Sequence, residues 1–262
     1  MQAPVEDAGG LAVAPAWPAC CRAMGLRRRL WLGIAEVGMA FAGLVVGYLV
    51  VGTLAGLVDV GPFQLLAGPL VTGAAAVFYG WLGPRWSEAS LPEDERLGPA
   101  PMPPSSLRAP AAAGVVALGL VVALAGSMAL GVVLELLGVG VHEQPGVLRI
   151  TEGAQDGLSV EAIVLAVSAL LLAPVAEEWL FRRLLFVRVR STSGRWIAYG
   201  MSALCFAAIH NNPAGIVIYL WLGLVFAAVL ERTGRLWAAI AVHLGNNAYV
   251  LAMLFFGADP GA

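Results

Sequence analysis

The polar side chains that could do chemistry in this sequence lie within apolar segments of its C-terminal third. They are two adjacent glutamates, an arginine, two histidines and an asparagine: Glu177, Glu178, Arg182, His210, His243 and Asn247. Ionisable groups are costly inside a bilayer, so each one within an apolar segment is a candidate functional residue. Carboxylate, imidazole and amide groups together suit general acid–base chemistry and the stabilisation of a developing negative charge.

The spacing of these residues predicts different roles for the two glutamates. Glu178 and Arg182 are four residues apart with the acid first, which is the favourable order for a helical ion pair. Glu177 is rotated by about 100° around the same helix and cannot share that pair equally. We therefore expect Glu177 to be a free carboxylate in a low-dielectric site, as a general base requires. The pairs Phe206–His210 and His243–Asn247 have the same spacing, so each pair shares a helix face.

The amino-acid composition predicts a membrane protein whose surface is exposed to lipid. Hydrophobic residues make up 60% of the sequence and charged residues 12%, and the mean hydropathy is +0.83. A soluble protein carries about 25% charged residues. The net charge is −2 and no basic stripe is present, so nucleic acid is not an expected partner, whereas membrane lipid is.

Apolar stretches of the length needed to cross a bilayer, about 20 residues, recur along the chain. Seven are predicted: 31–57, 63–83, 111–138, 158–180, 196–211, 213–230 and 236–257. The fold class is therefore all-α, a polytopic transmembrane helical bundle of about seven spans. We expect residues 1–30 to form a mobile cytoplasmic tail and residues 31–257 a single membrane domain, with its catalytic core at about 158–257. A proline-rich polar loop is predicted from Pro84 to Pro110.

Arginines give the predicted orientation, because positive residues favour cytoplasmic loops. They flank alternate spans: Arg22 and 27–29, then Arg85, Arg96 and Arg108, then Arg188, Arg190 and Arg195, and finally Arg232 and Arg235. The opposite loops hold only Arg149, so the N-terminus is predicted to be cytoplasmic. Glu36 and Glu135 are expected near span ends, within reach of water. Pro174 should loosen the fourth span next to Glu177.

These residues resemble a known family, the CAAX prenyl endopeptidase and bacteriocin-processing (CPBP, Abi) intramembrane proteases. The motifs of that family are EExxxR, FxxxH and HxxxN, which read here as 177–182, 206–210 and 243–247. Gly234-Arg-Leu-Trp237 is similar to the lead-in of the last motif. The resemblance covers about 160–257, and the first three spans match only in being apolar. Arg183 departs from the family, which often has glycine there.

The resemblance implies a reaction, an intramembrane endopeptidase hydrolysing a peptide bond, and a role for each motif residue. Glu177 and His210 are expected to activate the attacking water, and His243 and Asn247 to stabilise the oxyanion. Three further residues are expected to support the site: Glu178, Arg182 and Phe206. Glu177, His210 and His243 could instead hold zinc, since one Glu and two His are a common catalytic ligand set. We favour a mechanism that requires no cofactor.

Two other functions stay open at the sequence level. A proton-coupled transporter also uses intramembrane Glu, Arg and His, but the deep ionisable residues here cluster in one half of the chain. A catalytically silent scaffold or immunity protein of the same fold would need no intact set of motif residues. The expected partner is a membrane-associated peptide or protein, CAAX-like or otherwise lipophilic, and the expected location is a bacterial plasma membrane.

Asn246, Asn211 and Asn212 are interpreted as turn or interface residues. Trp31, Trp81, Trp196 and Trp237 are interpreted as interfacial aromatics.

Overall fold

The computed structural model describes residues 25–57, 60–90, 102, 107–141, 150–151, 157 and 159–256. Seven long helices run through this part of the chain: α1 Leu26–Leu57, α2 Ala67–Ser90, α3 Ala109–Leu136, α4 Val160–Ser193, α5 Arg195–Ile209, α6 Ile216–Thr233 and α7 Leu236–Phe255. A short 3₁₀ helix, Gly61–Leu66, leads into α2. No strand occurs in these described ranges. The predicted all-α class is confirmed.

Six of the helices are long and apolar enough to cross a bilayer, and the chain is an integral membrane protein. The seventh, α5, has 15 residues. At about 1.5 Å per residue it rises roughly 22 Å, less than the roughly 30 Å of a hydrocarbon core. The prediction of about seven spans is therefore close, with α5 as a short member. Most of the predicted tail lies outside the described residues, although Leu26 to Leu30 already belong to α1.

The fourth helix differs most from its predicted bounds. We expected it to end near residue 180, because arginines follow, but it continues to Ser193. The arginines do not end the helix because Arg182 and Arg188 are buried and paired with carboxylates inside the protein. The second helix likewise continues through Pro84 to Ser90, where a loop was expected.

Two π-helical segments interrupt α4, on either side of the Glu177 turn. They are Ser168–Leu172 and Glu178–Phe186, and Ala173 N–H donates to Ser168 O across five residues. Pro174 follows directly and has no N–H to continue the ladder. The loosening expected at Pro174 is thus present. π-Helical turns re-aim the side chains around them and are frequent at functional sites.

The helices alternate in direction, so the bundle has two ends. At the end that we call the arginine end, Arg29 Nε donates to Ser193 O (2.8 Å) and Arg235 Nη2 to Leu107 O (3.4 Å). The opposite end, which we call the hairpin end, holds the α5–α6 turn at residues 210–215. Only Gly194 separates α4 from α5, and its φ of +96° is a conformation that side chains rarely adopt.

A buried ion pair joins α1 to α4. Arg188 donates from Nε and Nη2 to the two carboxylate oxygens of Glu36, at 2.8 and 2.9 Å. The Tyr79 hydroxyl on α2 donates to the same carboxylate. Glu36 was expected near water at a span end, and that was wrong: its side chain is 1% exposed. Arg188 was taken as a cytoplasmic marker, and it too is buried. The expected accessibility of Glu135 is confirmed, since that residue is exposed.

We predict that Glu36→Ala destabilises the fold strongly, because it leaves the Arg188 guanidinium buried without a counter-charge. Removing one partner of a buried pair costs about 3–5 kcal/mol. The measurement is thermal unfolding of the purified protein in detergent. Glu135→Ala, which removes an exposed glutamate from α3, is the matched control and should leave the midpoint unchanged. Equal midpoints for the two variants would contradict the role of the Glu36–Arg188 pair.

Candidate active site

Glu177 lies near the middle of α4, between the two π-helical segments, with a side chain that is 13% exposed. Its Oε2 atom is buried and makes no hydrogen bond within the described residues. The carboxylate lines a cavity of about 350 Å³. An ionisable oxygen that is buried and unpartnered is costly, so its retention in a cavity wall marks Glu177 as a functional candidate.

Two imidazoles face this oxygen. His210 Nε2 lies 3.9 Å and His243 Nε2 4.0 Å from Glu177 Oε2. These distances are too long for direct hydrogen bonds. They are short enough for one small molecule to contact the carboxylate and an imidazole together. The structure therefore brings together the three residues that the sequence predicted as a group.

The other nitrogen of each imidazole is held by an acceptor. His210 Nδ1 lies 2.7 Å from the carbonyl oxygen of Phe206, and His243 Nδ1 lies 2.9 Å from Glu178 Oε1. Carbonyl and carboxylate oxygens only accept, so Nδ1 carries the proton in both rings. This fixes the tautomer and leaves both Nε2 atoms facing Glu177.

Glu178 and Arg182 form the predicted helical ion pair, fully buried, with Arg182 Nε 3.1 Å from Glu178 Oε2. The Arg182 guanidinium also lies 4.3 Å from the ring centroid of Phe206 and 3.4 Å from Gly223 O. The bond from Glu178 to His243 was not predicted. It joins residues on α4 and α7, and spacing along one helix gives no signal for a contact between two helices.

Aromatic rings hold the two imidazoles in place. Phe206 contacts both, with ring centroids 4.6 Å from His210 and 5.7 Å from His243. Tyr219 on α6 stacks on His210 at 4.0 Å, and Phe226 stacks on His243 at 4.7 Å. Sequence analysis missed Tyr219 and Phe226. The one available signal was their occurrence in the apolar span that follows the hairpin, and that signal is weak.

The two adjacent asparagines of α7, Asn246 and Asn247, both line the cavity. Asn247 Nδ2 donates to the Ala169 carbonyl at 2.9 Å, in the first π-helical segment of α4. Asn246 was interpreted as a turn or interface residue, yet it is buried, lines the cavity and donates to Asn247 Oδ1 at 3.4 Å. Asn247 also lines the cavity, beside His243. The amide of Asn247 is therefore held by α4 and by its neighbour.

The sequence also allowed Glu177, His210 and His243 to bind a zinc ion, and the distances between them can be compared with that geometry. Zinc bonds of about 2.0–2.1 Å in a tetrahedral site place neighbouring ligand atoms about 3.3 Å apart. The distances from Glu177 Oε2 to the two Nε2 atoms are wider, at 3.9 and 4.0 Å. No group of three metal-ligating side chains with metal-holding geometry occurs among the described residues. In this structure the two distances are thus wider than the ligand spacing around a directly bound zinc ion.

Comparison with known proteins shows what the segment that carries these residues is similar to. Residues 159–249 match the family described as Type II CAAX prenyl endopeptidase Rce1-like. The predicted resemblance to this family of membrane proteases is confirmed for that segment.

Curated bacterial proteins show the same resemblance over part of their length. The chain is 28% identical over 111 residues to the putative membrane peptidase YdiL of Bacillus subtilis, covering 41% of this chain and 45% of that protein. It is 29% identical over 87 residues to the membrane-embedded CAAX protease MroQ of Staphylococcus aureus, covering 31% and 35%. The chain thus spans less than half the length of these relatives. No solved structure gives a significant match.

We predict that His210 carries its proton on Nδ1 when neutral, and that His243 is protonated on Nδ1 in either charge state. Histidine-selective ¹⁵N labelling followed by NMR in detergent measures this directly, since the chain has three histidines. His142→Gln assigns the remaining signal. Glu178→Gln should shift the His243 resonances and leave those of His210 in place. A neutral His210 protonated on Nε2 would contradict the geometry.

Proposed function

We propose that this protein is an intramembrane endopeptidase in which Glu177 and His210 activate a water molecule. One observation carries the proposal: Glu177 Oε2 is buried without a hydrogen bond, inside a cavity, and faces the Nε2 atoms of two histidines. A general base must lie within hydrogen-bond reach of the proton that it removes, directly or through one water. A water between Glu177 and His210 meets that condition.

The reaction then proceeds in two steps. The water oxygen attacks the scissile carbonyl carbon while its proton passes to the Glu177 carboxylate, and His210 Nε2 orients the water by accepting its second hydrogen. The C–N bond of the tetrahedral intermediate then breaks, and Glu177 returns the proton to the leaving nitrogen. The products are a new carboxyl group and a new amine. No covalent enzyme intermediate is needed.

His243 and Asn247 supply donors for the oxyanion. As an imidazolium, His243 donates from Nε2 while Nδ1 stays bonded to Glu178. Asn247 uses one amide hydrogen for the Ala169 carbonyl and retains a second. Donors that are held in place before the reaction stabilise developing charge without reorganisation. Glu178, Arg182 and Phe206 support the site by fixing the rings and balancing charge.

The proposed substrate is a membrane-associated peptide or protein, either CAAX-like or otherwise lipophilic. Ten of the twenty residues that line the cavity are aliphatic or phenylalanine, including Leu165, Leu222 and Leu251, so an apolar peptide segment fits its walls. The proposed location is a bacterial plasma membrane. We propose a cytoplasmic N-terminus on the arginine distribution.

We predict that Glu177→Ala and His210→Ala each lower the cleavage rate by about 10²–10⁴-fold, the usual contribution of general acid–base groups. The assay follows a fluorogenic lipidated CAAX peptide and a panel of apolar membrane peptides in detergent. Glu135→Ala and His142→Ala are matched controls of the same residue types and should retain activity. Full activity of Glu177→Ala would refute the proposed mechanism.

The same assay with a chelator distinguishes the metal-free mechanism from a zinc-dependent one. Cleavage that resists chelation supports water activation by Glu177 and His210 alone. Loss of cleavage on chelation, with recovery on adding zinc, would assign Glu177, His210 and His243 as ligands instead. Absence of cleavage from a folded wild-type protein with every peptide would favour the silent scaffold.

We predict that Asn247→Ala lowers kcat by about 10²–10³-fold with little change in KM, as expected for a donor that acts in the transition state. The measurement is steady-state kinetics on whichever peptide is cleaved. The thermal unfolding midpoint of the variant should stay close to that of the wild type, which separates lost chemistry from lost folding. A rise in KM with unchanged kcat would assign Asn247 to substrate binding instead.

A further inference from the structure

The cavity extends from Glu177 and His243, near the middle of the bundle, towards the hairpin end. Its walls come from the end of α3, the start of α4, the α5–α6 turn and the end of α7. Representative residues are Val141, Leu165, Asn212 and Leu254. Because the helices alternate in direction, these segments all lie at the same end. No cavity-lining residue lies at the arginine end in the described part of the chain.

The path from the site towards the arginine end is filled with packed side chains. Directly beyond Glu177 on α4, the side chains of Leu180, Phe181, Arg182 and Leu185 have no solvent exposure. Still nearer the arginine end, Glu231 on α6 binds side chains of two other helices. Its carboxylate lies 2.6 Å from Arg190 on α4 and 3.0 Å from Arg195 on α5, and accepts a hydrogen bond from the Tyr199 hydroxyl at 2.7 Å. Among the described residues, a peptide therefore has no open route from that end.

The short length of α5 gives water a route from the hairpin end. Trp196, in the first turn of α5, is 79% exposed, as an interfacial aromatic would be. From there α5 rises about 22 Å, so its end at Ile209 lies roughly 8 Å below the opposite edge of a 30 Å hydrocarbon core. The turn that carries His210 and Asn212 is thus recessed into the membrane. A recess above His210 lets water reach the site from that side.

The two ends also differ in charge. In the described part of the chain, Arg29, Arg85, Arg108, Arg195, Arg232 and Arg235 all belong to the arginine end. The sequence of the hairpin-end loops contains a single arginine, Arg149. Loops rich in arginine favour the cytoplasm, so the arginine end is cytoplasmic by this rule.

Resting on the proposed function, we propose that the active-site cavity opens to the non-cytoplasmic face of the membrane. The substrate class follows: an apolar segment of an exported or membrane-anchored peptide that reaches the enzyme from that face. The Ser127 hydroxyl of α3 lines the cavity, and its oxygen is buried without a hydrogen bond among the described residues. It provides a polar contact for the backbone of such a segment, from outside the family-matched residues.

Cysteine labelling in intact cells tests the orientation without relying on catalysis. The native Cys20 and Cys21 are changed to Ser and Cys205 to Ala, and single cysteines are then introduced. Ala214→Cys and Val139→Cys probe the hairpin end, and Gly25→Cys, where nothing crowds the backbone, probes the arginine end. We expect a membrane-impermeant maleimide to label both hairpin-end thiols in intact cells and Gly25→Cys only after permeabilisation.

The reverse pattern overturns the proposal, and so does labelling of Gly25→Cys in intact cells. Two hairpin-end positions guard against a local effect of one substitution, and labelling in denaturant verifies that each thiol is present. Repeating the labelling in a Glu177→Ala background keeps orientation separate from activity. The expected labelling with no cleavage of any peptide would refute the proposed function alone.

Membrane vesicles of opposite sidedness test the substrate class. An apolar fluorogenic peptide with a membrane-impermeant charged tag is added to the outside of right-side-out and inside-out vesicles. We expect cleavage at least tenfold faster in right-side-out vesicles. Equal or faster cleavage in inside-out vesicles would overturn the proposed side of entry while leaving the peptidase activity established.

Discussion

The site depends on one buried carboxylate, that of Glu178. Its two oxygens bind different partners, Arg182 on the same helix and His243 on α7. An isolated charge at this depth would be strongly unfavourable, so the Arg182 guanidinium balances the charge of the Glu178 carboxylate. That carboxylate in turn accepts a hydrogen bond from His243 Nδ1, which turns Nε2 towards Glu177. Charge balance in the core thus sets the direction of a ring in the cavity.

A hydrolase inside a membrane must exclude bulk water and still admit one water molecule. The aromatic rings around the imidazoles exclude solvent: Phe206 contacts both histidines, and Tyr219 and Phe226 stack on one each. On the proposed orientation, the short α5 and the α5–α6 turn admit water from one side. The two requirements are met by different elements, since the rings come from helix interiors and the recess from the short length of one helix.

Sequence analysis predicted what depends on spacing within one helix. The Glu178–Arg182 pair and the apolar spans were found in this way, whereas the grouping of Glu177 with two histidines came from the resemblance to the family motifs. It could not predict contacts between helices, such as Glu178–His243 or Glu36–Arg188, because no local pattern encodes them. The predicted end of α4 near residue 180 was wrong for the same reason, since the helix continues to Ser193. Arginines indicate the end of a span only when they have no buried carboxylate partners.

The N-terminal helices matter to the site although the family match begins at residue 159. Glu36 on α1 binds Arg188, ten residues along α4 from Glu178, through both carboxylate oxygens. A bidentate pair fixes orientation as well as distance, so it restrains the rotation of α4 about its axis. That rotation decides whether Glu177 faces the two histidines. On α3, Ser127 forms part of the cavity wall itself. The matched segment supplies the proposed reacting groups, and α1 to α3 hold α4 in register and complete the cavity in which we propose that a substrate lies.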